Sequence, residues 1–134
     1  MSVLQRWHEV IESRDPDRLD EILADDCVFH SPIVHTPQEG KDLTKLYLAA
    51  AMQVFSENFH YVREVADEHH AVLEFMGENE GITINGIDMF SWNEDGKIYD
   101  FKVMVRPLKA INLLHGQMKA MLEQLSGGFK PQGQ

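Results

Sequence analysis

Cys27 is the single cysteine in this 134-residue chain, so neither an intrachain disulfide nor an all-cysteine zinc site can form. A lone thiol suits a reducing compartment, and a cytoplasmic protein is expected. Positive charge is also scarce, with 12 Lys+Arg against 22 Asp+Glu and a formal net charge of -10. The basic residues come at most in spaced pairs, Arg14/Arg18 and Lys41/Lys45, never as a cluster. Such a field repels phosphates and anionic headgroups, so neither nucleic acid nor a membrane surface is expected as a partner. No run approaches the roughly 20 apolar residues of a membrane span. The stretch Tyr47 to Met52 comes nearest, and it lies inside an amphipathic pattern. Met1 to Glu9 hold no apolar stretch of the signal-peptide kind. A Gly-x-Ser-x-Gly elbow, a phosphate loop and a dinucleotide fingerprint are all missing, and no cofactor is expected. None of the 7 histidines makes a His-x-x-x-His pair on a helix, so no metal is expected either.

What is present is one ordinary globular domain with 43% hydrophobic residues, long enough to bury its own core. Val3, Leu4, Trp7, Val10 and Ile11 recur at helical spacing. Asp15-Pro16 predicts the start of a second helix with Leu19, Ile22 and Leu23 on its face, ending at Asp25-Asp26. Cys27 to His30 reads as a short strand, Ser31 to Gly40 as an irregular loop with two prolines. A third helix follows from Lys41 to Phe55, with Leu43, Leu46, Tyr47, Ala50 and Val54 facing inward. The period then changes to two: strands over Phe59–Val65, Ala71–Met76, Ile82–Trp92 and Ile98–Arg106, with turns at Gly77–Gly81 and Asn93–Gly96. Leu108 to Leu125 is a closing amphipathic helix that Gly127-Gly128 ends. Residues 1–126 thus form one α+β domain, with 127–134 a flexible tail. A curved sheet packed against helices leaves a cavity between them, and a small apolar molecule is the expected partner.

Asp88 is the residue that points to chemistry. Its strand carries Ile82, Ile84, Gly86, Asp88, Phe90 and Trp92 on one face, so a carboxyl sits on the more apolar side. Desolvation raises the pKa of such a group and makes it a usable acid near neutral pH. Gly86 leaves space beside it in this reading. The alternative is a bulge at Gly86 that alters the parity and an Asp88 bonded to an arginine. In the closing strand Tyr99, Phe101, Val103 and Val105 share a face, and the Tyr99 hydroxyl could orient a ligand. His35, in the proline-containing loop, is a candidate proton shuttle or rim contact, or an exposed histidine without a role. Cys27 in its apolar strand has no activating neighbour and reads as a small core residue.

The chain resembles the nuclear transport factor 2-like superfamily and its SnoaL-like branch. The carriers are Asp15-Pro16-Asp17-Arg18-Leu19, Leu23 to Pro32, Gly40, Gly86-Ile87-Asp88-Met89-Phe90 and Asn93 to Ile98. The resemblance implies a cone-shaped sheet wrapped around N-terminal helices, an apolar pocket and a homodimer formed through the sheet. Against the ketosteroid isomerase pattern, Asp88 looks like the protonated aspartate at the enolate. Ser31 stands at the position of the general base, and Trp7 at that of the oxyanion tyrosine. The limonene epoxide hydrolase pattern needs an arginine where Gly86 stands. The candidate site is therefore Asp88 with His35 as the acid–base pair, in a pocket of Trp7, Ser31, Phe90, Tyr99, Phe101 and Val103. The function implied is a small-ligand pocket of isomerase or cyclase type, the alternative a non-catalytic binding or dimerisation module.

Overall fold

The computed structural model describes residues 2–55 and 57–126; the tail and the Gly127-Gly128 helix end lie outside the described residues. Helix α1 (Val3–Ser13) starts at Ser2, whose hydroxyl accepts the Gln5 amide while the Gln5 side chain accepts the Ser2 amide. This reciprocal pair satisfies donors that a helix start otherwise leaves free. Val3, Trp7 and Val10 are its buried stripe. Asp15 then accepts the Asp17 amide and opens a 3-10 turn at Pro16–Glu21. The second α-helix expected here does not form, because Leu23 already begins strand β1 (Leu23–His30). A short turn followed by a strand still brings Leu19, Ile22 and Leu23 to no more than 2% exposure, so the core loses nothing.

The loop after β1 is less irregular than its prolines suggest. Gln38 and Glu39 form strand β2 and pair with Phe29 and Val28, just past Pro37. Helix α2 (Lys41–Val54) buries Thr44, Tyr47, Leu48, Ala50 and Val54, and leaves the expected Leu43 and Leu46 half-buried. The face is set by Thr44, whose hydroxyl bonds the Cys27 carbonyl at 3.2 Å and ties α2 to β1.

Strands β3 (Glu57–Ala66), β4 (His70–Asn79), β5 (Ile82–Trp92) and β6 (Ile98–Arg106) form an antiparallel meander. The six-stranded sheet has the order β2-β1-β6-β5-β4-β3, and its one departure from antiparallel pairing is the parallel β1–β6 ladder. The β4–β5 turn is tighter than expected. It consists of Glu80 and Gly81 alone, at φ 49° and 78°, so Gly77 stays within its strand. Two positive φ values match the twist of the strands they join. Helix α3 (Leu108–Ser126) packs on α2 and on β5 and β6. The result is the expected α+β architecture: a curved, unclosed sheet with helices before it and one after. Among the described residues no helix is long and apolar enough to cross a membrane.

Candidate functional site

The pairing of β5 with β4 runs unbroken from Ser91 opposite His70 to Ile82 opposite Asn79. There is therefore no bulge at Gly86, and Ile84, Gly86, Asp88 and Phe90 are buried side by side. The space at Gly86 is filled rather than open. A Cβ there would stand 2.5 Å from the Phe75 ring and 2.5 Å from the Met104 carbonyl oxygen.

Asp88 is 7% exposed and has no arginine partner among the described residues. Instead, Tyr61 Oη donates to Asp88 Oδ2 at 2.6 Å and accepts from Trp7 Nε1 at 3.1 Å. Burial penalises the carboxylate and pushes Asp88 from 3.8 up to about 7, against the smaller opposing pull of the Tyr61 bond. Burial and the neighbouring Asp88 also hold the Tyr61 hydroxyl well above its usual value, so it remains a donor. Behind it, the His8 ring meets Tyr61 edge-on at 5.3 Å and bonds Glu64 at 2.8 Å. Asp88 and Tyr61 open on a narrow cavity of about 60 Å³, walled by Trp7, Ile11, Leu48, Met52, Phe59, Phe75 and Val103. The further charged side chain on this wall, Arg14, is engaged with the Met52 carbonyl at 2.9 Å.

Trp7 and Val103 line this cavity. Phe90 and Phe101 do not line the cavity. They pair directly across β5 and β6, stack at 5.3 Å and 4°, and form the fully buried core under Trp7. Ser31 faces a second cavity, and its hydroxyl accepts the amides of Ile33 and Val34. His35 is exposed and lines neither cavity; it follows Ile33 and Val34, which do line the second one, and precedes the paired Gln38. Tyr99 is 40% exposed. The β5–β6 register slips between Ser91 and Trp92, so Ile98 takes the inward place and Tyr99 turns out. Tyr61 is the site residue that the sequence reading passed over. The available signal was its spacing of two from Phe59 on an alternating strand. Cys27 is buried, with its thiol pushed up to about 11 by desolvation, as suits a core residue. Among the described residues no three His, Cys, Asp or Glu side chains converge as a metal site.

This chain matches the SnoaL-like domain family over residues 4–101 and belongs to it. It is 36% identical to a steroid delta-isomerase from Pseudomonas aeruginosa, with 94% of this chain and 93% of that one covered at a TM-score of 0.88. It is 30% identical to an uncharacterized bacterial protein with a cystatin-like fold from Silicibacter pomeroyi, covering 88% of this chain and 83% of that one at a TM-score of 0.83. An NTF2-like protein of unknown function from Mesorhizobium loti shares the fold at 16% identity, 78% and 88% coverage and a TM-score of 0.70. No curated protein matches the sequence.

Proposed function

We propose that the protein is an isomerase that moves a proton between two carbons of a small apolar carbonyl compound, with Asp88 carrying the proton. The observation behind this is a carboxyl titrating at about 7 on the wall of an apolar cavity, bonded by a tyrosine. A proton carrier works best when its pKa lies near the working pH. Likeness to a steroid delta-isomerase supports the reaction class. With His35 on the surface, Asp88 itself serves as the base. The Asp88 carboxylate takes the proton from the carbon beside the carbonyl, and the electron pair of that C–H bond moves to the carbonyl oxygen as an enolate. As Asp88 becomes protonated, its hold on the Tyr61 hydroxyl weakens, and Tyr61 donates to the enolate oxygen instead. Asp88 then returns the proton to a different carbon, and the double bond has moved.

The test uses a bicyclic β,γ-unsaturated ketone, with conversion followed by the absorbance of the conjugated product. Turnover is expected with the unaltered protein and a fall of about 10²–10⁴-fold in Asp88→Asn. Equal turnover in that variant, or none in the unaltered protein, overturns the reading.

Ser31 favours a second reading, binding without turnover: it stands at the position that the family pattern gives to a base, and its hydroxyl is engaged in a turn. Saturable binding of the ketone without conversion would decide for it. For either reading we propose a homodimer formed through the outer face of the sheet, on the outward apolar residues of β3 to β6.

A further inference from the structure

Trp7, Ile11 and Arg14 follow one another along one face of α1, and all three line the cavity at Asp88. Exposure rises along that row: Trp7 is buried, Ile11 half-buried and Arg14 exposed. The helix therefore runs from the floor of the cavity, where Trp7 bonds Tyr61, to its mouth. From Trp7 to Arg14 it rises about 10 Å. Asp88 and Arg14 are the two charged side chains on the described wall, the first buried and the second at the opening. Arg14 ends α1 at φ 56°, a conformation that glycine or asparagine adopts more readily, so closing the helix does not call for an arginine. Its Nη2 donates to the Met52 carbonyl at 2.9 Å, near the end of α2. That bond fixes the guanidinium and leaves Nε and Nη1 without a partner among the described residues. No carboxylate pairs with it there either. The adjacent Asp15 accepts the Asp17 amide, whereas Arg18, Lys41, Lys45 and Arg63 each have an acidic partner.

We infer that Arg14 selects the substrate by its far end: the molecule is an apolar oxo acid, its ketone at Asp88 and its carboxylate on the Arg14 guanidinium. The rise of α1 sets the apolar stretch between the two groups at on the order of 10 Å. A guanidinium with donors to spare matches a carboxylate by parallel hydrogen bonds. The side chains between the two ends, Ile11, Leu48, Met52 and Phe55, suit the apolar body of such a molecule. A chain of net charge -10 repels anions in general, so a cation at the mouth decides which of them enter. The inference rests on the Asp88 cavity being the substrate site. Arg14 meets the remote end of the substrate rather than the reacting atoms, and its part is specificity.

The Met52 methyl lines this cavity and reports its occupation in protein carrying 13C-methyl methionine, the signal being assigned with Met52→Leu. The probes are 8-oxo-8-phenyloctanoate and its methyl ester, with 4-oxo-4-phenylbutanoate and its ester as a pair too short to span the cavity. The long acid is expected to bind about tenfold more tightly than its ester, as one charge-assisted pair provides. In Arg14→Gln the ester should bind as before and the acid should lose that advantage. Arg14→Lys, which keeps the charge without the fork, should retain part of it. The short acid should show no gain over its own ester. Equal binding of the long acid and its ester, or a preference for the acid that persists in Arg14→Gln, overturns the role of Arg14 and leaves the Asp88 reading standing. A Met52 signal that no probe moves overturns the role of Arg14 and counts against the Asp88 cavity as well. A preference that depends on Arg14, in a protein that leaves the β,γ-unsaturated ketone unconverted, supports the role of Arg14 and removes the isomerase reading alone.

Discussion

Tyr61 Oη lies 2.6 Å from Asp88 Oδ2, although strand β4 runs between the strands that carry them. Register explains the reach. Tyr61 pairs with Phe75, Phe75 pairs with Gly86, and Asp88 is two residues beyond Gly86 on the same face. The bond joins a group that burial drives toward its neutral form to the tyrosine donor beside it, and the pH behaviour of the protein follows from that balance.

Stability should fall with pH where Asp88 alone distinguishes the folded and unfolded chains. Its carboxyl titrates at 3.8 as a free group and at about 7 in the fold. Below about pH 4 both states hold the proton and the contribution is complete. Between 4 and 7 only the folded chain still holds it, so stability is lost as pH rises, and above 7 no further change follows. Relative to Asp88→Asn, the loss across that window should be on the order of 4 kcal/mol. Urea unfolding of both proteins at several pH values reads it. Parallel stability curves would show that Asp88 does not titrate this way.

Tyr61→Phe should move the pH profile as well as the rate. The Tyr61 bond lowers the Asp88 pKa, so its removal raises the midpoint of kcat/KM above about 7. Activity from the Asp88 carboxylate rises with pH through that midpoint, and the variant needs a higher pH to reach its plateau. Its kcat should also fall, since the donor to the enolate is gone. Trp7 Nε1 would lose its acceptor, at a stability cost of about 1–3 kcal/mol. A lower kcat with an unmoved midpoint would leave Tyr61 uncoupled from Asp88.

Asp88 was legible in the sequence because β5 alternates without interruption over its whole length, so parity alone put the carboxyl on the apolar face. Tyr61 was not, because β3 is mostly exposed, breaks register twice, and its partner lies two strands away. Tyr99 failed for a related reason: one slipped pair beside Trp92 exchanges its place with Ile98. Helical periodicity placed α1, α2 and α3 well, but it could not separate an α-helical turn from the 3-10 turn at Pro16–Glu21, where the same leucines are buried either way. His35 and Ser31 sit in a loop whose path is set by side-chain-to-backbone bonds and by β2, neither of which leaves a periodic trace.

Gly86→Ala should damage the site from beneath. The added methyl meets the Phe75 ring and the Met104 carbonyl oxygen, both at 2.5 Å. The ring walls the cavity beside Asp88, and the carbonyl belongs to the neighbouring strand. Overpacking of this kind costs about 1–3 kcal/mol. Thermal unfolding should show that loss, and ketone turnover should fall further than at a surface glycine such as Gly116, where alanine meets nothing within 4 Å. An unchanged melting temperature would mean that the strands separate freely at this point.

The homodimer can be tested on the outward face that the register defines. Val65 pairs with Val72 and Val72 with Met89, while Ile87 pairs with Met104 in the next rows. These side chains form a continuous apolar strip across four strands, with Val65 65% and Met104 50% exposed. Exposed apolar strips of that kind mark contact surfaces when charge rims them. Here the Arg63–Glu74 ion pair at 3.2 Å and Lys102, opposite Met89, supply it. Two copies meeting face to face bury the strip in a self-complementary contact, as two-fold dimers do. Ile87→Lys puts a charge in the middle of it and touches neither cavity. Sedimentation at micromolar concentration should give a dimer for the unaltered protein and a monomer of unchanged melting temperature for the variant. A monomer in both cases, or a dimer in both, would remove this face as the interface.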